Sequence, residues 1–300
     1  MKDNNSMIYK RKSPLLLFLL PAFAFLAVYL FYPFVMNIIN SFSDIPSLGA
    51  ASKGWLDPWY TNYQRLVTDP YMRTAFLNTM LMMLCTIVFQ VGIALVLAML
   101  VDHIRRGASF FRTVYFFPIV ISATALGLMF NLLFLYDVGP INQLLINLGI
   151  ITQDTLVNWK EGPWLFTMLT PVMWQYVGYY FVIIVTGLNN IPTDVYEAAE
   201  IDGASGWQVI TKIKLPLLHN TLCTCLTLAI TGALKVFDLP WTMFPKGLPM
   251  EKSWLTGTYM YKFSLGGANN IGYSSAIAVF IVILGVLLSQ AANRVFKKDY

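Results

Sequence analysis

Charged side chains are scarce in this chain of 300 residues: aspartate, glutamate, lysine and arginine make up 12%, and hydrophobic residues make up 57%. A soluble domain carries about 25% charged residues. This deficit, together with long uncharged runs, predicts a membrane protein with several spans. The net charge of +5 does not indicate a nucleic-acid partner, because the cations lie at the ends of apolar runs and not along a stripe.

Residues that bind metals are also few. Cys85, Cys223 and Cys225 all lie in apolar stretches, and the chain has only two histidines, His103 and His219. We expect no acid or histidine beside the C-T-C pair, so ordinary packing explains these cysteines better than a metal or redox site. The sequence predicts that the chain itself binds no metal and no cofactor.

A phosphate-binding loop of the pattern G-x-x-x-x-G-K-[ST] is absent as well, so the chain has no ATPase site of this kind. No cluster of acids, histidines and a nucleophile occurs at membrane depth, which argues against a membrane enzyme. An ion- or proton-coupled secondary transporter needs ionisable residues in several spans and inverted repeats. Only Lys235 meets the first requirement, and the secondary transporter remains the alternative function.

The long apolar runs predict an all-α membrane protein. A helix needs about 20 apolar residues to cross the hydrocarbon core. The first run follows Lys10-Arg11-Lys12 like a signal peptide, but it continues uncharged to Asp44, and we expect it to be retained. Six transmembrane helices are predicted, at residues 15–38, 78–100, 114–135, 165–188, 218–237 and 272–293.

Basic residues predict the orientation. If both termini are cytoplasmic, that side carries twelve lysines and arginines against seven on the other side, which favours an N-in and C-in arrangement. Residues 1–13 and 294–300 are then cytoplasmic tails around a transmembrane domain at 14–293. The outer segments carry aromatic residues that we expect at the membrane interface, namely Trp55, Trp59, Tyr60, Trp159, Trp164, Trp241 and Trp254.

The acidic loop, residues 189–217, contains signals for two short helices. Asp194 is predicted to cap a helix over 194–202 in a capping box with Glu197, and Gly203 to end it in the left-handed conformation. Ser205 and Gln208 form a second capping box for a helix that ends near Lys214. Pro216 is then expected to open the fifth span.

The composition of this loop favours docking to a partner over a simple spacer. Ala198 and Ala199 offer a small-residue face that another backbone can approach closely. Trp207 and Ile210 supply apolar contact on one side of the second helix. Glu197 is either a contact to that partner or only a cap of its own helix, and the sequence leaves both possibilities open.

The spacing of these residues resembles a known motif. Glu197-Ala198-Ala199, Gly203 and Ile213-x-Leu215-Pro216 are similar to the EAA loop of permease subunits of ATP-binding-cassette (ABC) importers. The resemblance implies that these residues form the coupling helix on a cytoplasmic ATPase. It also implies two such ATPase subunits that use ATP and Mg, a second homologous permease subunit, an extracytoplasmic solute-binding protein, and a bacterial cell membrane as the location.

The resemblance extends over nearly the whole chain and is closest to the carbohydrate branch, the MalF-like and UgpA-like permeases. The stretches that carry it are Tyr32-Pro33, residues 111–118, 137–142, 174–192 and 236–239. The chain departs from the pattern at residues 244–249, so the resemblance implies no conformation for that outer loop. The implied function is import of an oligosaccharide or a related sugar derivative.

A sugar path needs aromatic rings and uncharged hydrogen-bonding groups within the membrane. Trp174, Gln175, Tyr176, Tyr179 and Tyr180 supply both in the fourth span, and by resemblance Tyr179 falls at a position that lines the sugar site of a maltose permease. For each of the other four residues, packing between helices is an equal alternative.

Polar groups in three other spans are further candidates. Lys235 and Asp238 either pair with each other at i and i+3 or line the path. Asn131 and Gln90 are candidates too, although a hydrogen bond between helices accounts for each of them.

Overall fold

The computed structural model describes residues 12–296 except 103, 105, 106 and 250. Within these residues the regular structure is helical, apart from an isolated bridge between Ser43 and Trp55. His103 with its neighbouring arginines, and most of the two predicted tails, lie outside the described residues.

Five helical segments of the described chain are long and apolar enough to cross a membrane, and a sixth candidate is a bent pair of helices. The membrane helices are α1 (Lys12–Leu26), which continues through a π-helical turn (Ala27–Phe31) into α2 (Tyr32–Asn40); α4 (Pro70–Cys85), which continues through Thr86–Val91 into α5 (Gly92–Asp102); the pair α6 (Ala108–Val120) and α7 (Ala123–Leu133); α9 (Trp164–Asn189); α13 (His219–Lys235); and α16 (Ile271–Phe296).

Shorter helices connect these long ones. They are α3 (Thr61–Thr68), α8 (Pro140–Asn147), α10 (Thr193–Ile201), α11 (Gly206–Gln208), α12 (Leu215–Leu217), α14 (Asp238–Met243) and α15 (Thr256–Ser264), with single 3₁₀ turns at Gln153–Thr155 and Pro245–Gly247.

The third predicted span is the main correction to the sequence analysis. Residues 114–135 were expected to form one helix, but α6 and α7 meet at 92°. Ile121 and Ser122 adopt extended conformations between the two helices, shortly after Pro118, which has no backbone N–H to donate. The side chain of Gln175 on α9 donates to the carbonyl oxygen of Ile121 at 3.3 Å, so the bend does not leave that acceptor unpaired.

The second membrane helix begins at Pro70, eight residues before its predicted start. Asp69 explains the difference, because its carboxylate accepts hydrogen bonds from the backbone N–H groups of Tyr71 and Met72 and caps the helix. The same carboxylate accepts hydrogen bonds from the hydroxyls of Tyr259 at 2.6 Å and Tyr273 at 3.0 Å. Asp69 therefore joins α4, α15 and α16 at one end of the bundle.

The core of the molecule lies around α9, which buries residues along its whole length and packs against α5 and α6. Leu17–Asn40, in contrast, has no buried residue in its most apolar window, and this first span contacts the bundle through packing of α2 on α16. Trp254, expected at the membrane interface, is fully buried instead, whereas Trp55 and Trp59 are exposed.

Candidate functional site

A cavity of about 340 Å³ lies between α4, α9, α13 and α14. Its wall carries hydrogen-bonding side chains from each of these elements or from the turns that follow them. These include Thr86, Gln90, Gln175, Tyr176, Tyr179, Tyr180, Thr231, Lys235 and Asp238. The cavity offers aromatic rings beside donors and acceptors, which suits a polar solute with apolar faces.

The structure divides the predicted path residues into two groups. Tyr179 and Tyr176 line the cavity, whereas Trp174 and Asn131 do not. The ring of Trp174 packs edge-on against Phe130, with centroids 6.0 Å apart. The side-chain amide of Asn131 donates to the carbonyl oxygen of Thr242 at 3.1 Å, which is the hydrogen bond between helices that the sequence analysis favoured.

Gln90 serves both roles that were considered for it. Its side-chain amide donates to the carbonyl oxygen of Val172 on α9 at 2.7 Å, and its side chain also lines the cavity. The predicted hydrogen bond between spans is therefore confirmed at this residue.

The predicted ion pair between Lys235 and Asp238 is wrong. The two ion pairs found among the described residues involve other side chains. Helix α13 ends at Lys235, and Val236 is extended (φ −62°, ψ 124°), so Asp238 begins a new helix and the i, i+3 relation is lost. Both charged side chains face the cavity instead.

The turn at Gly203 in the acidic loop has the predicted geometry. Gly203 has φ +70°, and its N–H donates to the carbonyl oxygen of Glu200, while the N–H of Ala204 donates to that of Ala199. This pair of bonds is the Schellman motif. Glycine is favoured here because side chains strain the left-handed conformation.

The second predicted capping box is also confirmed. The backbone N–H of Ser205 donates to the side-chain oxygen of Gln208 at 2.7 Å, and the N–H of Gln208 donates to the Ser205 hydroxyl at 3.4 Å. The helix does not end near Lys214, however. It passes through a π-helical segment, Val209–Lys214, into α12, so Pro216 lies within a nearly continuous helical run and does not start one.

The first predicted capping box is absent. Helix α10 begins one residue early, at Thr193, after Pro192 at the capping position, and Asp194 lies in its first turn. An acid in the first turn still interacts favourably with the helix dipole. Glu197 is exposed and does not form the predicted capping box.

The two alanines of the loop do not share an exposed face. Ala199 is buried against the chain's own core, while Ala198 is exposed. The large apolar side chains exposed in this loop are Trp207, Leu217 and Ile201, and the exposed fraction of Ile201 is 86%. The sequence analysis missed Ile201, although an isoleucine that follows Glu200 directly before Asp202 could have indicated it.

An ion pair that the sequence analysis missed joins this loop to the bundle. Lys214, expected near the end of the second helix, is only 4% exposed. Its Nζ lies 2.6 Å from Oδ2 of Asp102, the last residue of α5. The two residues are 112 positions apart, so no local pattern could have predicted their contact.

In the described part of the chain, no group of three or more histidine, cysteine or acidic side chains is placed to hold a metal ion. One expectation was wrong: His219 does lie beside a cysteine, with its Nε2 3.6 Å from the sulfur of Cys223.

Comparison with known proteins gives a family for this architecture. The family described as "Binding-protein-dependent transport system inner membrane component" matches residues 75–300. A probable ABC transporter permease protein of Bacillus subtilis is 32% identical over 97% of this chain and 98% of its own. The arabinooligosaccharides transport system permease protein of the same organism is 27% identical over 94% of this chain and 88% of its own.

The fold is also found among solved structures. A crystal structure of a bacterial alginate ABC transporter, in complex with an alginate pentasaccharide-bound periplasmic protein, contains a chain with a TM-score of 0.80 at 20% identity. The match covers 97% of this chain and 98% of that one. Permease proteins are transport components and not enzymes. The chain therefore belongs to the family of inner membrane components of binding-protein-dependent transport systems.

Proposed function

We propose that this chain is a permease subunit of an ABC importer that moves an oligosaccharide or a related sugar derivative into a bacterial cell. The observation that carries the proposal is the cavity beside Tyr179, where aromatic rings and uncharged hydrogen-bonding groups lie together between the membrane helices. The names of relatives that transport sugars, such as arabinooligosaccharides, support the substrate class.

The cavity residues can be given roles in this proposal. Tyr176 and Tyr179 would contact the apolar faces of the sugar and its hydroxyls, as aromatic residues do in ligand pockets. Lys235 and Asp238, which are not paired with each other, would hydrogen-bond to the sugar. Trp174 and Asn131 lie outside the cavity and drop out of the proposed path.

The acidic loop would dock on the ATPase. This coupling element would be formed by the motif residues Glu197, Ala198, Ala199, Gly203, Ile213, Leu215 and Pro216. Ala199 is buried and would contribute to the packing of the element. The exposure of Glu197, Ile201 and Trp207 supports a contact surface for another protein, because large exposed apolar side chains often mark such surfaces. ATP and Mg would be bound by the ATPase and not by this chain.

The assembly would contain a second homologous permease subunit, two ATPase subunits and an extracytoplasmic binding protein. The bent pair α6 and α7 would count as one broken span, giving six spans with both termini in the cytoplasm. The bias of lysine and arginine toward that side supports this orientation.

Purification of the chain from its native membrane, followed by reconstitution, tests the proposal. We expect companions that carry the phosphate-binding loop of ATPases, and ATP-dependent uptake of labelled maltotriose, lactose or arabinotriose in proteoliposomes with the binding protein. Uptake driven by an ion gradient in the absence of any ATPase would instead identify the secondary transporter and refute the proposal.

A further inference from the structure

Two helical segments of the acidic loop meet the end of α5 at one largely buried polar contact. Asp102 ends α5, Lys214 ends the π-helical segment before α12, and Tyr196 lies on α10. The Nζ of Lys214 lies 2.6 Å from Oδ2 of Asp102 and 5.4 Å from the centroid of the Tyr196 ring. The contact joins the acidic loop to the end of the second membrane helix.

The two charged groups of this contact depend on each other. A buried lysine is stable as a cation only with a partner, and an aspartate at the C-terminal end of a helix opposes the helix dipole unless a cation offsets it. Lys214 and Asp102 therefore each need the other. Removal of Asp102 would leave the buried Lys214 without its counter-charge, which is destabilising.

Tyr196 adds a third constraint. Its hydroxyl is buried and has no hydrogen-bond partner among the described residues. Burial, and to a lesser extent the charge of Asp102, raise the pKa of Tyr196 above its ordinary value. The ring of Tyr196 also packs against the core cluster around α5 and α9, so a displacement of α10 must displace the ion pair or break this packing.

We propose that Lys214, Asp102 and Tyr196 form a positioning joint that transmits movement of α10 to the end of α5. The chain connects α10 directly only to α9 and α11, so α5 can follow α10 only through non-covalent contacts such as this one. The inference rests on the proposed function, in which an ATPase moves α10. Its consequence is that the second membrane helix, which lines the solute cavity through Thr86 and Gln90, would respond to the nucleotide state.

Spin labels on the reconstituted complex test this joint. One label is placed on Thr193 of α10 or on Leu100 of α5, and a reference label on Ile150; all three residues are exposed. The native cysteines are replaced by alanine. In the parent complex, ATP with vanadate should shift both the Thr193–Ile150 and the Leu100–Ile150 distance. In the Lys214→Met variant, only the Thr193–Ile150 distance should shift.

The control is Lys212→Met, which removes an exposed lysine from the same segment and should behave like the parent complex. A Leu100–Ile150 shift in Lys214→Met equal to that of the parent would refute the joint. If Lys214→Met does not assemble, Asp102→Asn and the exchanged pair D102K/K214D replace it, and restored movement in the exchanged pair supports the proposal. Failure of all three to assemble would make the pair a folding requirement and overturn the proposal.

The two proposals fail separately in this experiment. If the parent complex neither hydrolyses ATP nor moves Thr193, the proposed function is wrong. If the parent complex does both and Lys214→Met moves Leu100 as the parent does, only the joint is wrong.

Discussion

Single residues decide how closely the membrane helices approach each other. Gly178 lies where α9 passes α6, and a Cβ atom there would collide with the backbone carbonyl group of Tyr115. Backbone atoms cannot move aside as a flexible side chain can. The close contact of α6 with α9, which supports one wall of the cavity, therefore depends on the absence of a side chain at this position.

Gly178→Ala is expected to lower the free energy of unfolding by roughly 1–3 kcal/mol, the usual effect of overpacking. The midpoint of thermal unfolding in detergent measures it. Gly92→Ala is the matched control, because Gly92 is also helical and a Cβ there meets no atom within 4 Å. Equal midpoints for the two variants would contradict the predicted close approach.

Tyr179 is the cavity residue whose role in transport is easiest to isolate. Tyr179→Phe removes only the hydroxyl, and loss of one hydrogen bond worth about 0.5–1.5 kcal/mol should weaken the apparent affinity for the transported sugar roughly 2- to 10-fold. Tyr179→Ala should weaken it further. Uptake measured over a range of sugar concentrations checks this, and unchanged uptake by Tyr179→Ala would exclude a sugar contact there.

Contacts between residues close in sequence were predictable, and contacts between distant residues were not. The turn at Gly203 and the cap at Ser205 were predictable, because every atom involved lies within a few residues. The pairing of Lys214 with Asp102 was not, because it depends on how α5 packs. Of the two alternatives for Lys235 and Asp238, the ion pair was wrong, because the end of α13 between them changes the spacing on which it relied.

At the scale of elements, the segment that departs from the family pattern is ordered by its contacts. Pro245–Gly247 forms a 3₁₀ turn in which Gly247 packs against the ring of Trp254 so closely that a Cβ atom would collide with it. Further along, Glu251 pairs with Lys262 of α15 at 2.8 Å. The Nζ of Lys262 also lies 4.9 Å from the Trp254 ring centroid. This segment is thus attached to α15 by both charge and packing.

The Glu251–Lys262 pair predicts a pH dependence. The hydrogen bond from Lys262 lowers the pKa of Glu251 below its ordinary value of 4.5, so the pair stabilises the fold above that value and the stabilisation is lost as the pH falls through the lowered pKa. At neutral pH the wild type should unfold at a higher temperature than Glu251→Gln, and the difference should vanish in acid. A difference that persists at pH 2 would contradict this assignment.

Element boundaries were harder to predict than element types. The start of the second membrane helix depends on Asp69, whose capping role is local, yet the apolar pattern placed the start eight residues later. The bend between α6 and α7 follows Pro118, but a proline alone does not fix an angle of 92°. That angle is set by packing on α9 and by the hydrogen bond from Gln175.

At the scale of the whole molecule, composition alone predicted a helical membrane protein with several spans. The orientation of the chain remains a prediction. Cysteines introduced at Ser52 and Thr193, both exposed, in a variant without native cysteines, test it in intact cells. A membrane-impermeant maleimide should label Ser52→Cys from outside and should label Thr193→Cys only after lysis. The reverse pattern would invert the proposed topology.

The bend at Ile121 has a consequence for hydrogen exchange. Within a membrane, an unpaired backbone carbonyl group costs several kcal/mol. The hydrogen bond from Gln175 to the carbonyl oxygen of Ile121 avoids this cost at the bend. The bent conformation is therefore stable, and α6 and α7 have no tendency to straighten or fray there. Amides on both sides of the corner should then exchange slowly and together, as one cooperative unit with α9. A solute that passes this corner would meet a fixed wall and not a flexible hinge.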